Sequence, residues 1–246
     1  MDDHQLAGHL ADLAGRALLT LRDDSIAEGV HEWTLRDRGD QLAHDLLVEA
    51  LAEHRPDDAV LSEEGTDDRK RLGAPRTWII DPLDGTHDYP YPDSSEWAVH
   101  VALVEGGIPT AGAVAWPSVG RLYGTGVSAI STPLATDREL VVVSGRSNTY
   151  YAGEVAQALK ARLTSCGSAG VKAALVVGGQ ADVYVHASGL YEWDACAPAA
   201  VAEAAGLVAR ELDGSHLEYN KSRPTVEGLV ICRPELADTV FETLAW

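Results

Sequence analysis

A layered α+β fold is what this sequence predicts, and three observations carry the expectation. Leucines recur at helical spacing through the N-terminal part, whereas later segments hold short apolar runs bounded by glycine, proline and acidic residues. These strands and helices interleave without a strict βαβ rhythm, which favours stacked layers over a doubly wound parallel sheet. The chain has 246 residues, 46% of them hydrophobic, with no low-complexity tract and no internal repeat. One continuous domain over residues 1–246 is therefore expected.

Leu6, Leu10, Leu13, Ala17, Leu18 and Leu21 predict an N-terminal helix with one buried stripe. A second helix is expected to begin near Asp40, placed as its N-cap, with Leu42, Leu46, Leu47 and Leu51 facing inward. Pro56-Asp57-Asp58 ends it. Ala59 to Ser62 reads as a short strand running into Glu63-Glu64, and Thr77 to Ile80 as a buried strand running into Asp81. Trp97 to Val104, Thr110 to Trp116, Gly120 to Gly124 and Val141 to Val143 read as further strands. Gly106-Gly107 marks a hairpin.

A helix from about Glu154 to Leu163 then leads to the turn Cys166-Gly167-Ser168-Ala169-Gly170. A helix over Val171 to Val177 and a strand over Asp182 to His186 follow. Trp193-Asp194 opens an alanine-rich helix that Gly206 stops. Gly228 to Cys232 and Glu235 to Leu244 complete the chain as strand and helix. Trp33, Trp78, Trp97 and Trp116 are expected in the core.

Charge narrows the function. Nineteen basic residues against 38 acidic ones leave a formal charge of -19, which argues against nucleic acid and anionic membranes as partners. Cys166, Cys196 and Cys232 are widely spaced and form no CxxC pair, so free thiols are expected. The start, Met1-Asp2-Asp3-His4-Gln5, is acidic and unlike a secretory signal, and no run approaches the ~18 apolar residues of a membrane helix. A cytoplasmic protein is expected.

The strongest chemical signal is Asp81-Pro82-Leu83-Asp84-Gly85-Thr86, directly after an apolar strand. Pro82 restricts φ and Gly85 permits a tight turn, so both aspartates fold toward one point. Two carboxylates about 4 Å apart repel by about 4 kcal/mol at an effective dielectric of about 20. A hard divalent cation between them would relieve that repulsion. An exposed Asx-type turn is the other reading of an isolated DxxDG. The spacing fits neither an EF-hand nor the DxDGT of aspartyl-phosphate enzymes.

Trp78-Ile79-Ile80-Asp81-Pro82-Leu83-Asp84-Gly85-Thr86 resembles the signature of the inositol monophosphatase superfamily. Leu61-Ser62-Glu63-Glu64-Gly65 upstream and Glu192-Trp193-Asp194 downstream are similar to its other two motifs. The resemblance implies an αβαβα sandwich with mixed, mostly antiparallel sheets. It further implies lobes at approximately 1–135, with the metal-binding motifs, and 136–246, the substrate lobe that also supplies Asp194. Two or three Mg²⁺ per site are implied, held by Glu63, Asp81, the Leu83 carbonyl, Asp84 and Asp194. Gly85 and Thr86 would meet the phosphate or the attacking water, and Asp40 and Glu64 would orient water and ligands. Hydrolysis by two-metal activation of water, inhibited by Li⁺, is the expected activity.

Three details resemble the 3′(2′),5′-bisphosphate nucleotidase branch, which acts on phosphoadenosine phosphate in sulfur assimilation. They are Gly167-Ser168 followed by Lys172, the glutamate Glu192, and the pattern Leu212 to Asn220. Backbone amides at a helix start with an ammonium suit a second phosphate. Ser144, Arg146 and His186 fall where ligand-facing residues are expected. Each of Lys172, Arg146, Glu192 and His186 also has a purely structural or solvent-facing reading. A segment ending at Gly39 without the usual lysine and threonine, and His87-Asp88-Tyr89 after Thr86, depart from the pattern. The expected partner is a small phosphorylated nucleotide, 3′-phosphoadenosine 5′-phosphate or its phosphosulfate relative, bound by a monomer or homodimer. Inositol 1-phosphate or a sugar bisphosphate is the alternative substrate, and a non-catalytic metal or nucleotide binder the alternative class.

Overall fold

The computed structural model describes residues 1–126, 138–147 and 149–245. In chain order it runs α1 (Asp3–Ala27), α2 (Glu32–His54), β1 (Ala59–Ser62), β2 (Arg76–Asp84), β3 (Ala98–Glu105), β4 (Ile108–Trp116), β5 (Arg121–Gly124) and β6 (Val141–Ser144). It continues with α3 (Tyr150–Leu159), β7 (Arg162–Ser165), α4 (Ala169–Val177), β8 (Val183–His186), β9 (Leu190–Tyr191) and α5 (Glu192–Ala204). Last come β10 (Val208–Arg210), β11 (Thr225–Val226), β12 (Leu229–Cys232) and α6 (Ala237–Leu244). The lobe boundary expected at 135/136 lies outside the described residues.

Two five-stranded sheets result, ordered β1-β2-β3-β4-β5 and β10-β12-β8-β6-β7, with β9 and β11 as a separate pair. In the first sheet only β1 and β2 run parallel; in the second, β6 is parallel to both β7 and β8. The remaining pairings are antiparallel, so the sheets are mixed and mostly antiparallel, as expected.

Side-chain alternation along each strand assigns the layers. Trp78, Ile80, Val99, Val101 and Leu103 pack against Leu6, Leu10 and Leu18 of α1 and Leu35, Leu47 and Leu51 of α2. Ile79, Ala98, Ala102 and Val114 face the other way, onto Val171 and Ala174 of α4 and Ala197 and Val201 of α5. The far side of α4 and α5 meets Val143, Tyr184, Leu229 and Ile231 of the second sheet. Val142, Val183, Val185 and Val230 pack outward on α3 and α6. The order is helix, sheet, helix, sheet, helix. No helix among the described residues is long and apolar enough to cross a membrane.

Several expectations need correction. The second helix starts at Glu32 with His31 as N-cap, so Asp40 lies inside it rather than at its start. Gly39 lies inside that helix, where it passes close over Leu83 and Tyr89: a Cβ there would stand 2.8 Å from Tyr89 and 3.0 Å from Leu83. The buried face uses Ala43 besides Leu47 and Leu51, leaving Leu42 and Leu46 half-buried. In α1, Leu13 is exposed and Ala7, Ala11 and Ala14 complete the stripe. Trp33 is exposed over Arg36, whereas Trp78, Trp97 and Trp116 are buried. The helix expected to reach Leu163 stops at Leu159, where Lys160 turns left-handed (φ 52) and Ala161 N–H donates to the Ala156 carbonyl. Residues 162–165 then join the second sheet as its edge strand.

Candidate active site

The aspartates of β2 are brought together by a break in the ladder. Asp81 pairs with His100, yet Asp84 pairs with Ala98, so three steps along β2 match two along β3. In a regular strand, residues three apart point to opposite faces; the extra residue resets that parity. Leu83 turns to the helix layer, and Asp81 and Asp84 both point between the sheets. Gly85 follows with φ 91, and a Cβ there would collide with the Glu96 carbonyl, so only glycine fits this turn.

The third carboxylate comes from the far half of the chain. Asp194 is the third residue of α5 and accepts a hydrogen bond from Tyr191 N–H at 3.0 Å, beside the positive end of the helix dipole. Alanines along α5 let its backbone approach the first sheet. One ligand oxygen each from Asp81, Asp84 and Asp194 lies within 4.8 Å of the others. Glu63, directly after β1, is exposed at the rim, close enough to the Asp81 carboxyl to raise it.

Electrostatics single out this cluster. Burial raises Asp81 well above the usual carboxylate range, and Glu63, Asp84 and Asp194 add to the rise. Burial, then neighbouring carboxylates, also brings Glu63 and Asp194 to about 7. Asp84 behaves oppositely: burial opposes its charge, but His100, Lys172 and Ser168 outweigh it and hold it at about 2. Asp81 Oδ2 is buried without a hydrogen-bond partner among the described residues. An orphaned carboxylate oxygen amid an all-oxygen donor set fits a hard divalent cation.

The hydroxyl of Thr86 lies 2.9 Å from the Leu83 carbonyl and 3.2 Å from Asp40 Oδ1, donating its one hydrogen between them. Burial first, and Glu64 second, raise Asp40 to about 7. Glu64 is exposed at the cleft edge. Glu63, Asp81, Asp84, Asp194, Thr86 and Asp40 thus stand together although they come from four separate stretches of sequence.

The residues expected to read a second phosphate are differently employed. Ser168 caps α4, accepting from Val171 N–H at 3.0 Å, and donates its hydroxyl to Asp84 Oδ2. Lys172 is 2% exposed, and its ammonium donates to the carbonyls of Cys166 (3.2 Å), Gly167 (2.6 Å) and Ser168 (2.8 Å). It props the Gly-Ser turn from inside and does not face the cleft. Arg146 stays half-exposed but grips Asp88 through both nitrogens (2.9 and 2.8 Å) and also pairs with Glu96. Gly167 N–H donates to the same Glu96 at 2.7 Å.

Ser144 is buried and donates to the Gly145 carbonyl. His186 is half-buried with Nε2 2.8 Å from the Ser188 hydroxyl; burial, then Lys172, push it down to about 4, so it is neutral near pH 7. Glu192 is fully buried and accepts from Asn220 N–H (2.7 Å) and Lys221 N–H (2.9 Å), tying the C-terminal loop to α5.

Sequence reasoning missed His100. It is fully buried, with Nδ1 3.0 Å from the Trp193 carbonyl oxygen and Nε2 3.1 Å from Asp84 Oδ2. The available signal was its place in the otherwise apolar run Ala98-Val99-His100-Val101-Ala102, where an imidazole needs partners.

Comparison with known proteins identifies the family. The profile of the inositol monophosphatase family matches residues 20–244. A Mycobacterium bovis protein named 3′-phosphoadenosine 5′-phosphate phosphatase is 42% identical over 240 residues, covering 94% of this chain and 89% of its own. An Escherichia coli 3′(2′),5′-bisphosphate nucleotidase CysQ is 31% identical over 193 residues, 73% of this chain and 77% of its own. The crystal structure of CysQ from Bacteroides thetaiotaomicron superposes with a TM-score of 0.76 at 28% identity, over 93% of this chain and 96% of that one.

Proposed function

The chain belongs to the inositol monophosphatase family, and from that premise we propose that it is a Mg²⁺-dependent phosphatase acting on 3′-phosphoadenosine 5′-phosphate. Its reaction is hydrolysis of the 3′-phosphate to an adenosine 5′-phosphate product and inorganic phosphate. The phosphosulfate relative is a second substrate of the same kind. The observation that carries the reading is the convergence of Asp81, Asp84 and Asp194 around one point, with Asp81 Oδ2 making no hydrogen bond among the described residues. The relatives named above supply the substrate class.

An acidic cleft would repel a phosphate monoester unless cations stood between them. Asp81, Asp84, Asp194, Glu63 and the Leu83 carbonyl would hold those cations. When bound, divalent ions there polarise phosphoryl oxygens and make water more acidic. The chain's own contribution is positioning and proton transfer. Thr86 presents its hydroxyl oxygen as an acceptor to water, with its hydrogen held by Asp40 and Leu83. Asp40, basic enough to take a proton near pH 7, is the general base that receives it through Thr86.

Lys172, turned inward on three carbonyls, is withdrawn from the case for a bisphosphate. Arg146 stands at the rim but is neutralised by Asp88 and Glu96, so inositol 1-phosphate is the substrate to compare. Phosphate release from both, side by side in Mg²⁺, tests the choice. A preference of about tenfold or more for the nucleotide, equivalent to about 1.4 kcal/mol in transition-state binding, is expected. A ratio near or below one would remove the substrate while leaving the phosphatase.

A further inference from the structure

We propose that His100 is a positioning residue that ties Asp84 to the first turn of α5 and thereby sets the spacing of Asp84 and Asp194. The inference rests on the reading of these carboxylates as cation ligands, and it concerns what holds them in place before any cation arrives.

His100 sits in the middle of β3, opposite Asp81 in the ladder, with no exposed surface. Its ring spans the gap between two motifs more than 100 residues apart in sequence. Nδ1 is 3.0 Å from the carbonyl oxygen of Trp193, the residue before Asp194, and 3.8 Å from Asp81 Oδ2. A carbonyl oxygen can only accept, so Nδ1 carries a hydrogen. Nε2 lies 3.1 Å from Asp84 Oδ2, at ion-pair distance but not in hydrogen-bond alignment. The same Oδ2 accepts Gly170 N–H at 2.7 Å and the hydroxyl of Ser168. One oxygen of Asp84 is thus surrounded by three polar groups, and the other would be the one free to meet a cation. A ligand carboxylate oriented by several partners on its outer oxygen binds metal in one direction only.

Local packing is arranged around the ring. A Cβ on Gly170 would collide with His100 Nε2 and stand 2.9 Å from Cδ2 and 3.0 Å from the Ala98 Cβ. The Gly-Ser turn, expected to cradle phosphate, therefore approaches closely enough to hold Asp84 only because residue 170 lacks a side chain. Ser168 is by the same geometry a partner of Asp84. A histidine serving only to fill the core would need neither contact, and an apolar residue of similar volume would replace it without consequence for cation binding.

Two variants test this. His100→Leu removes both polar contacts at similar volume; Gly170→Ala keeps every polar group but pushes the ring off Asp84. Metal-free parent and variants are titrated with Mg²⁺ by calorimetry, and circular dichroism reports folding. The expected result is a Mg²⁺ dissociation constant raised about 10- to 100-fold in both variants, the range for partners of metal ligands. At saturating Mg²⁺, KM for the nucleotide should stay within about twofold of the parent, because neither residue touches substrate. Unchanged Mg²⁺ affinity in the folded variants overturns the proposal, and if His100→Leu does not fold, Gly170→Ala decides alone. A parent that binds Mg²⁺ but releases no phosphate from nucleotide or inositol phosphates would sink the phosphatase reading and leave this inference standing. An active parent whose variants bind Mg²⁺ normally would do the reverse.

Discussion

Asp81 and Asp84 point to the same face of one strand although they are three positions apart, because the β2–β3 register slips by one residue between them. Pro82 and Leu83 take up the slip: proline has no N–H to pair, and Leu83 N–H donates to Asp81 Oδ1 at 3.1 Å. The motif is therefore a bulge that turns two carboxylates three positions apart onto one face, where they could hold a cation together.

Asp81 is buried among carboxylates, with Glu63, Asp84 and Asp194 all raising it. Asp81→Asn removes a negative charge that no other group replaces. Turnover should fall by more than the 10- to 100-fold typical of outer-sphere substitutions, with the protein still folded. Retention of a tenth of parental kcat would contradict the assignment.

Proton linkage offers a second check. Glu63 and Asp194 are raised from 4.5 and 3.8 to about 7, first by burial and then by neighbouring carboxylates, so protons bind the native state more tightly than the unfolded chain. In the metal-free protein this contribution to stability is complete below those ordinary values and is lost as pH rises through about 7. Mg²⁺ should restore it by neutralising the cluster. Melting curves should therefore show a larger Mg²⁺-induced rise in Tm at about pH 8 than at about pH 5. An equal rise at both would count against the cluster as the cation site.

Lys172 supports the turn that carries Ser168. Lys172→Met would leave the carbonyls of Cys166, Gly167 and Ser168 without their donor, costing about 2 kcal/mol by the usual worth of charged hydrogen bonds. Denaturant melts should show that loss, with activity on nucleotide and inositol phosphates reduced alike. Unaltered stability with a KM rise confined to the bisphosphate would return Lys172 to the role its sequence position suggested.

The layers and the metal motifs were legible in the sequence because both depend on local pattern. Leu6, Leu10 and Leu18 announce a buried helix face, and Asp81-Pro82-Leu83-Asp84-Gly85 announces a turn rich in oxygen ligands. What stayed hidden depends on approach distances between remote segments. Gly39 looks like a helix boundary until Tyr89 and Leu83 are found against it. Lys172 looks like a phosphate ligand until its ammonium is found on three carbonyls. His100 carries no motif at all, and only the pairing of β2 with β3 brings it to Asp84.

Thr86 separates proton transfer from cation binding. Thr86→Val keeps the shape but loses the hydroxyl between Asp40 and Leu83, and kcat should fall by about 10²- to 10⁴-fold, the range for general acid–base groups. Mg²⁺ affinity should change little. Near-parental kcat in Thr86→Val would remove Asp40 and Thr86 from the reaction.

The most direct measurement is phosphate release from 3′-phosphoadenosine 5′-phosphate by chelator-stripped protein as Mg²⁺ is added back. Release should be absent without the ion, rise to saturation with it, and vanish in Asp194→Asn. Undiminished release from the stripped protein, or none at any Mg²⁺ concentration, would contradict the account.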